Sequence, residues 1–195
     1  MPKIIAPTLS QHRDLRRTAL VDAAADLARE GGGAAITMGA VAERAGLSRS
    51  AVYEYFRSSA DLAADVILDE LAIWASELAT AVAQATPGDE DQQIECWVRA
   101  ALEYVADGRH ALARALSEVT LPDDRRGEVA AMHRLLVEPL VEPLRAQHPE
   151  TAERLALFIN GIVEATTRRI ERGLDAQAEI AAALDFIRAG VSPRR

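Results

Sequence analysis

The stretch Thr37 to Asp61, TMGAVAERAGLSRSAVYEYFRSSAD, constrains this chain most, because it fits two short helices joined by a tight turn. Thr37 is placed to cap a first helix carrying Ala40, Val41 and Ala45, and Gly46 permits the sharp turn. Ser48 is placed to cap a second helix, expected over 49–56, with Val52 and Phe56 facing inward. Its outward face then presents Arg49, Ser50, Tyr53 and Tyr55, which suit base edges and phosphates. The small Ala51 lets the helix lie close to a groove floor. A stretch of this kind is expected to read duplex DNA.

The rest of the chain has to support that element. At 195 residues and 49% hydrophobic content it can bury a real core in one or two domains, at roughly 150 residues per domain. Aromatics are only 4%, Ala and Leu recur at helical spacing, and strand-like alternation is absent, so the expected fold is all-α. Asp65, Asp69, Glu70 and Glu77 interrupt the best candidate for a membrane span, which needs roughly 18 to 20 uncharged residues. With no apolar signal core at the N-terminus, a cytoplasmic location is expected. Cys96 stands alone, which suits a reducing compartment and a role as a small buried apolar residue.

The formal charge of −8 argues against nucleic acid until its distribution is read. Residues 1–60 hold eight Lys and Arg against six acids, a balance of +2. The remaining 14 basic and 24 acidic groups give −10. A basic head on an acidic body orients itself towards a polyanion.

Taken in order, residues 1–11 suggest a mobile arm whose Lys3 touches the DNA backbone. A first helix is expected over 12–30, with Leu15, Ala19, Leu20, Ala23, Ala24 and Leu27 on its apolar face, stopped by Gly31-Gly32-Gly33. Its Arg13, Arg16 and Arg17 suit phosphates or solvent equally. From Arg17 to Leu62 the chain resembles the N-terminal domain of TetR-family transcriptional repressors. The residues that carry the likeness are Arg17, Ala23-Ala24, Leu27, Glu30, Gly32, the Thr37-capped helix, Gly46-Leu47-Ser48, the string Val52-Tyr53-Glu54-Tyr55-Phe56, and Leu62. The chain departs from the family pattern in having Ser50 for a frequent Gly, Ala28 for a bulky Phe, and Ser59 for a phosphate-pairing Lys. Arg57, two residues earlier, is the candidate to replace that last contact.

Beyond the head, a long helix is expected from Ala60 to the Pro87-Gly88 break, with Leu62, Val66, Leu71, Trp74, Leu78 and Val82 along one face. Helices are then expected over 91–108, 111–119, 125–147, 150–172 and 175–189. The pair Pro139 and Pro143 predicts a kink or break near Glu138. Gly161 in mid-helix suggests close helix approach. The resemblance implies that the last two helices meet a second copy as a four-helix bundle. Leu155, Ile159, Ile162, Thr166, Ile180, Leu184 and Ile187 are the expected dimer contacts.

Catalysis leaves little trace. His12, His110, His133 and His148 are scattered, and no thiol pair, phosphate loop or nucleophile–base pair is marked, so neither an enzyme, a metal nor a cofactor is expected. The family body usually encloses an effector pocket. Trp74, Trp97, Tyr104, His110, His133, Phe158, Asn160 and Glu164 are its candidate lining here, although Trp97 and Phe158 lie on apolar faces that suit core. The body's negative balance suits a cationic effector, and equally solubility. The expected division is a helix-turn-helix domain over 1–59 and a ligand-binding and dimerisation domain over 60–195, about nine helices in all. The resemblance implies a transcriptional regulator, expected to be a repressor, that binds a palindromic operator as a homodimer through Thr37, Ser48, Arg49, Ser50, Ala51, Tyr53, Tyr55 and Arg57 and is released by a small molecule. The alternatives are an effector-independent activator or architectural protein, and a ligand carrier or enzyme whose head has lost DNA binding.

Overall fold

The computed structural model describes residues 9–191, and the expected all-α architecture holds throughout them, without a strand. Nine α-helices follow one another: α1 (Leu9–Gly31), α2 (Met38–Arg44), α3 (Arg49–Tyr53), α4 (Ser59–Ala83), α5 (Glu90–Ala106), α6 (Ala111–Leu116), α7 (Asp123–Gln147), α8 (Ala152–Glu171) and α9 (Ala176–Val191). A 3-10 turn, Gly33–Ala35, follows α1. Lys3 lies outside the described residues, and α1 begins at Leu9, inside the segment expected to be an arm.

The chain forms two compact units. One comprises residues up to Asp69 together with Leu112–Val129, and the other Glu70–Ala111 together with residues from Ala130 onwards. In the first unit Leu20, Ala24, Val41, Val52 and Leu62 are wholly buried and Phe56 is 3% exposed, each large side chain contributing about 2 kcal/mol of burial. The apolar face of α1 differs from the expected one at its start. Leu15 is 61% exposed and Ala19 is also exposed, whereas Val21, Ala25 and Ala28 are buried. Ala28, where the family pattern has a bulky Phe, is 1% exposed.

Helix starts follow the capping chemistry. Thr37 Oγ1 accepts from Ala40 N at 3.1 Å, Ser48 Oγ from Ala51 N at 3.2 Å, and Asp175 Oδ1 from Ala178 N at 2.8 Å. At α4 the arrangement is reciprocal: Ser58 Oγ accepts from Asp61 N at 3.1 Å while Asp61 Oδ2 accepts from Arg57 N, also at 3.1 Å. Burial pushes the Asp61 carboxyl up. The Arg57 side chain and backbone bonds, with the nearby charges of Arg57 and Arg125, outweigh it and hold the group below its ordinary value.

In the second unit α5, α8 and α9 pack against one another around Trp97, Val98, Leu102, Ile159, Ile180 and Leu184, all at most 3% exposed. Helix α7 runs unbroken through Pro139 and Pro143, so of the kink or break expected near Glu138 the break is absent. Leu136, Leu140, Pro143 and Leu144 are all buried, and Trp97 Nε1 donates to Leu136 O at 2.9 Å. Side-chain burial thus offsets two missing N–H groups and keeps the helix continuous.

Two measurements check this description. A Cβ built on Gly33 would collide with Val119 Cγ2 and press on Ala115 O at 3.3 Å, so Gly33→Ala should lower stability by about 1–3 kcal/mol in urea melts. Because the Asp61 carboxyl is held low, its contribution is complete above the unfolded-chain value and lost as pH falls through the lower folded value. Asp61→Asn should therefore cost about 1–3 kcal/mol at neutral pH. That deficit should narrow below about pH 4 in paired thermal melts followed by circular dichroism.

Candidate nucleic-acid interface

Helix α3 is fixed on its inner side and bare on its outer side. Val52 is fully buried, and α3 ends at Tyr53, short of the expected Phe56, in a turn where Tyr55 N and Phe56 N both donate to Val52 O at 3.0 and 3.1 Å. The expected helix was longer because a buried Phe56 fits helical spacing as well as this turn. Gly46 has φ of 67°, the left-handed conformation that closes α2 at little cost only to glycine.

The outer side carries Arg49 and Ser50, both exposed, and Tyr53, which is 49% exposed. Arg49 folds back along its own helix, with its guanidinium 5.9 Å from the Tyr53 ring centre and Nη2 3.4 Å from Tyr53 Oη. Ser50 Oγ lies 2.9 Å from Ser48 Oγ. Ala51 and Tyr55 are half-buried, and Thr37 and Ser48 are exposed caps. Seven of the eight candidates, from Ser48 to Arg57, are thus set by α3 and its two ends, with Thr37 at the start of α2.

Beside Tyr55 the structure adds a hollow that sequence spacing did not reveal. His12, Arg13 and Arg16 of α1 line it with Glu54 and Tyr55, and the Arg13 guanidinium sits 5.8 Å from the Tyr55 ring centre. The basic residues of α1 were visible as a cluster. Their placement next to the end of α3 depends on contacts some 40 residues apart, which no local pattern encodes. Arg17 is differently committed: it pairs with the buried Asp65 and covers Phe56, its guanidinium 5.5 Å from the ring centre. Arg44 is held by both oxygens of Glu30 at 2.7 and 2.8 Å, which keeps the Glu30 carboxyl below its ordinary value.

Arg57 is exposed and held by two carboxylates. Its Nη2 lies 2.9 Å from Asp124 Oδ2 and 3.2 Å from Asp61 Oδ1, and these hydrogen bonds and charges raise its pKa further. Ser59, at the position of the expected lysine, is the first residue of α4.

The candidate effector residues fall into groupings within the second unit. Trp74 stacks on Tyr104, with centres 5.1 Å apart and planes at 16°, and meets His110 edge-on at 5.5 Å. His110 Nδ1 is 3.0 Å from Glu171 Oε1, and burial, then the charge of Glu70, pushes the Tyr104 phenol up. Trp74 Nε1 is buried without a hydrogen-bond partner among the described residues. His133 and Asn160 instead line an open groove of about 770 Å³ between α7 and α8, walled by Leu135, Val137, Val141 and Leu157. Asn160 Nδ2 donates to the exposed Glu164 at 2.9 Å. Trp97 is core, as its apolar face suggested, but Phe158 is 62% exposed.

Of the residues expected at a dimer contact, Ile159, Thr166, Ile180, Leu184 and Ile187 are buried within one chain, and Leu155 and Ile162 are half-buried. These side chains close the unit. The large exposed apolar groups on the same helices are Leu157, Phe158 and Phe186, at 68, 62 and 67%. Gly161 is exposed as well: a Cβ there meets nothing within 4 Å, so the close approach expected of it does not occur within the chain.

A short capped helix presented on a glycine turn, followed in the chain by a helical body, defines a helix-turn-helix protein with an all-α body. Residues 20–66 match the model of the family described as bacterial regulatory proteins, tetR family. The fold as a whole is similar to that of FadR, a fatty acid degradation regulator from Bacillus halodurans, at 15% identity over 98% of this chain and 100% of that one, TM-score 0.71. It is also similar to FadR from Bacillus subtilis in complex with stearoyl-CoA, at 15% identity over 91% and 99% of the two chains, TM-score 0.70. The superantigen PfiT has the same fold, at 18% identity over 88% and 95%, TM-score 0.72. No curated protein matches the chain in sequence. No helix among the described residues is long and apolar enough to cross a membrane.

Proposed function

We propose that this protein is a dimeric, ligand-responsive transcriptional repressor of the TetR type, acting in the cytoplasm on a palindromic operator. The observation that carries the reading is α3 itself. Its start is capped by Ser48 and its inner residue is wholly buried, while Arg49, Ser50 and Tyr53 face outward with nothing packed over them in the described chain. Such a helix serves as a rigid probe for a major groove. Arg49 reads base edges, and Thr37, Ser48, Tyr53, Tyr55 and Arg57 address phosphates, with Ala51 permitting close approach.

The functional division runs at 59/60, with DNA binding before it and ligand binding and dimerisation after it. Leu157, Phe158 and Phe186 offer a second copy three large apolar side chains, and the exposed Gly161 lets two helices approach. The effector is amphipathic. The groove between α7 and α8 sets an apolar wall beside His133 and Asn160, with Arg134 and Arg145 among Glu138, Glu142 and Glu153 at its rim, which suits a ligand with a long apolar part and a polar head. The ligand in the B. subtilis FadR complex is of that chemical class. Release is a population shift, in which ligand favours a spacing of the two heads that no longer matches major grooves about 34–36 Å apart. A coupling of about 1–3 kcal/mol suffices for a 5- to 150-fold loss of affinity.

A selection of bound fragments from a genomic library, run with and without cell extract, tests the whole reading. A recurrent palindrome lost on adding extract supports it, and no enrichment at all refutes DNA recognition. Arg49→Ala should relax base preference at one operator position by about 1–3 kcal/mol, while Tyr53→Phe should weaken binding to all sequences alike in titrations of matched and altered duplexes. Phe158→Glu with Phe186→Glu should give a monomer in light scattering. A persistent dimer would exclude the outer face as the meeting surface.

A further inference from the structure

We propose that Asp124 is an internal competitor for the DNA backbone: it occupies the Arg57 guanidinium in the free protein and yields it to a phosphate when the head docks. The proposal rests on the reading of the head as a DNA-binding unit and names a control built into that site.

The two acids that hold Arg57 are not equivalent. Asp61 is part of the framework. Its side chain is 12% exposed, it takes the Arg57 backbone N–H at 3.1 Å and lies 3.5 Å from Arg57 Nε, and its own N–H goes to Ser58 at the start of α4. Asp61 therefore aims Arg57. Asp124 stands in the first turn of α7, 56% exposed, with Oδ2 on Arg57 Nη2 at 2.9 Å and Oδ1 accepting from Arg125 N at 3.0 Å. Removing its charge leaves the start of α4 untouched.

Arg57 itself is 68% exposed. An ion pair between two such exposed groups is weak and screened by salt, so it can be exchanged. A phosphate presents the same pair of anionic oxygens as a carboxylate to the guanidinium fork, and in a duplex it adds the release of condensed counterions. The outer edge of the fork can thus pass from Asp124 to a phosphate while Nε stays directed by Asp61. With Ser59 in place of a cation at the start of α4, Arg57 is the exposed cation beside Asp61, where Arg125 is mostly buried, and Asp124 sets what its use costs.

The test is a double-mutant cycle on the full-length protein, measured by fluorescence anisotropy on a mixed-sequence duplex across a salt series, since a phosphate contact needs no operator. Asp124→Asn keeps the oxygen that accepts from Arg125 N, and melting curves check that the fold is retained. The expected result is about three- to tenfold tighter binding for Asp124→Asn. Arg57→Ala should bind more weakly, with a log–log salt slope shallower by about 0.9. The double variant should match Arg57→Ala alone. Unchanged affinity in Asp124→Asn overturns the proposal, as does the same gain with Arg57 absent, which would reflect only one fewer negative charge near DNA. Wild-type protein that binds no duplex at any salt refutes the DNA-binding reading itself, an outcome separate from the other two.

Discussion

Asp65 is the group on which the first unit depends. Its carboxylate lies in α4 with 5% of the side chain exposed, and it accepts from Arg17 of α1 on one side and Arg125 of α7 on the other. A carboxylate this deep costs several kcal/mol to desolvate unless it is paired, so α4 holds its position only while both arginines reach it. The same two arginines extend the tie. Arg17 covers the Phe56 ring at the end of the reading segment, and Arg125 also meets Asp61 and Glu128. One buried charge therefore connects α1, the α3–α4 junction and the first turn of α7, the three pieces that frame the recognition helix.

This framework also decides how the head's modest positive charge is spent. Counting residues gives the head a balance of +2, but four of its arginines answer to carboxylates: Arg17 to Asp65, Arg29 to Asp26, Arg44 to Glu30, and Arg57 to Asp61 and Asp124. Those pairs differ in permanence. Arg17 is tied to a buried partner and is structural, whereas Arg57 shares one framework acid and one exposed acid. Affinity for a polyanion therefore depends less on how many cations the head contains than on which of them can change partner. On the proposed reading a second copy would add the cations that a single head lacks for firm binding to a duplex.

What could be read from the sequence follows the range of the interactions involved. The caps at Thr37 and Ser48 act over three residues, and each was legible because donor and acceptor lie within one turn. The helices were legible from their apolar period. The inner and outer faces of α8 were not distinguished, because Leu157 and Phe158 continue the apolar pattern that Ile159 and Val163 begin, and period alone does not tell which stripe meets the core. The two prolines of α7 misled for the opposite reason: a local rule that predicts a break was overridden by burial of Leu136, Leu140 and Leu144. The ion pairs that organise the first unit, Arg125 to Asp65 and Arg57 to Asp124, span 60 and 67 residues. Charges that far apart give no signal until the fold brings them together.

The match of residues 20–66 to a sequence family, against a body matched in fold alone, has a physical basis in what each part must meet. A duplex has one groove geometry, so the caps, turn and buried face that present a reading helix are tightly prescribed. A helical body has only to bury its own core, and its lining is free to follow whatever ligand it takes. The same fold accordingly appears in a fatty acid degradation regulator and in a superantigen. Function in this chain must therefore be argued from its own side chains: from Arg49 and Tyr53 on one element, from His133 and Asn160 on another, and from the pairing that determines whether Arg57 is available.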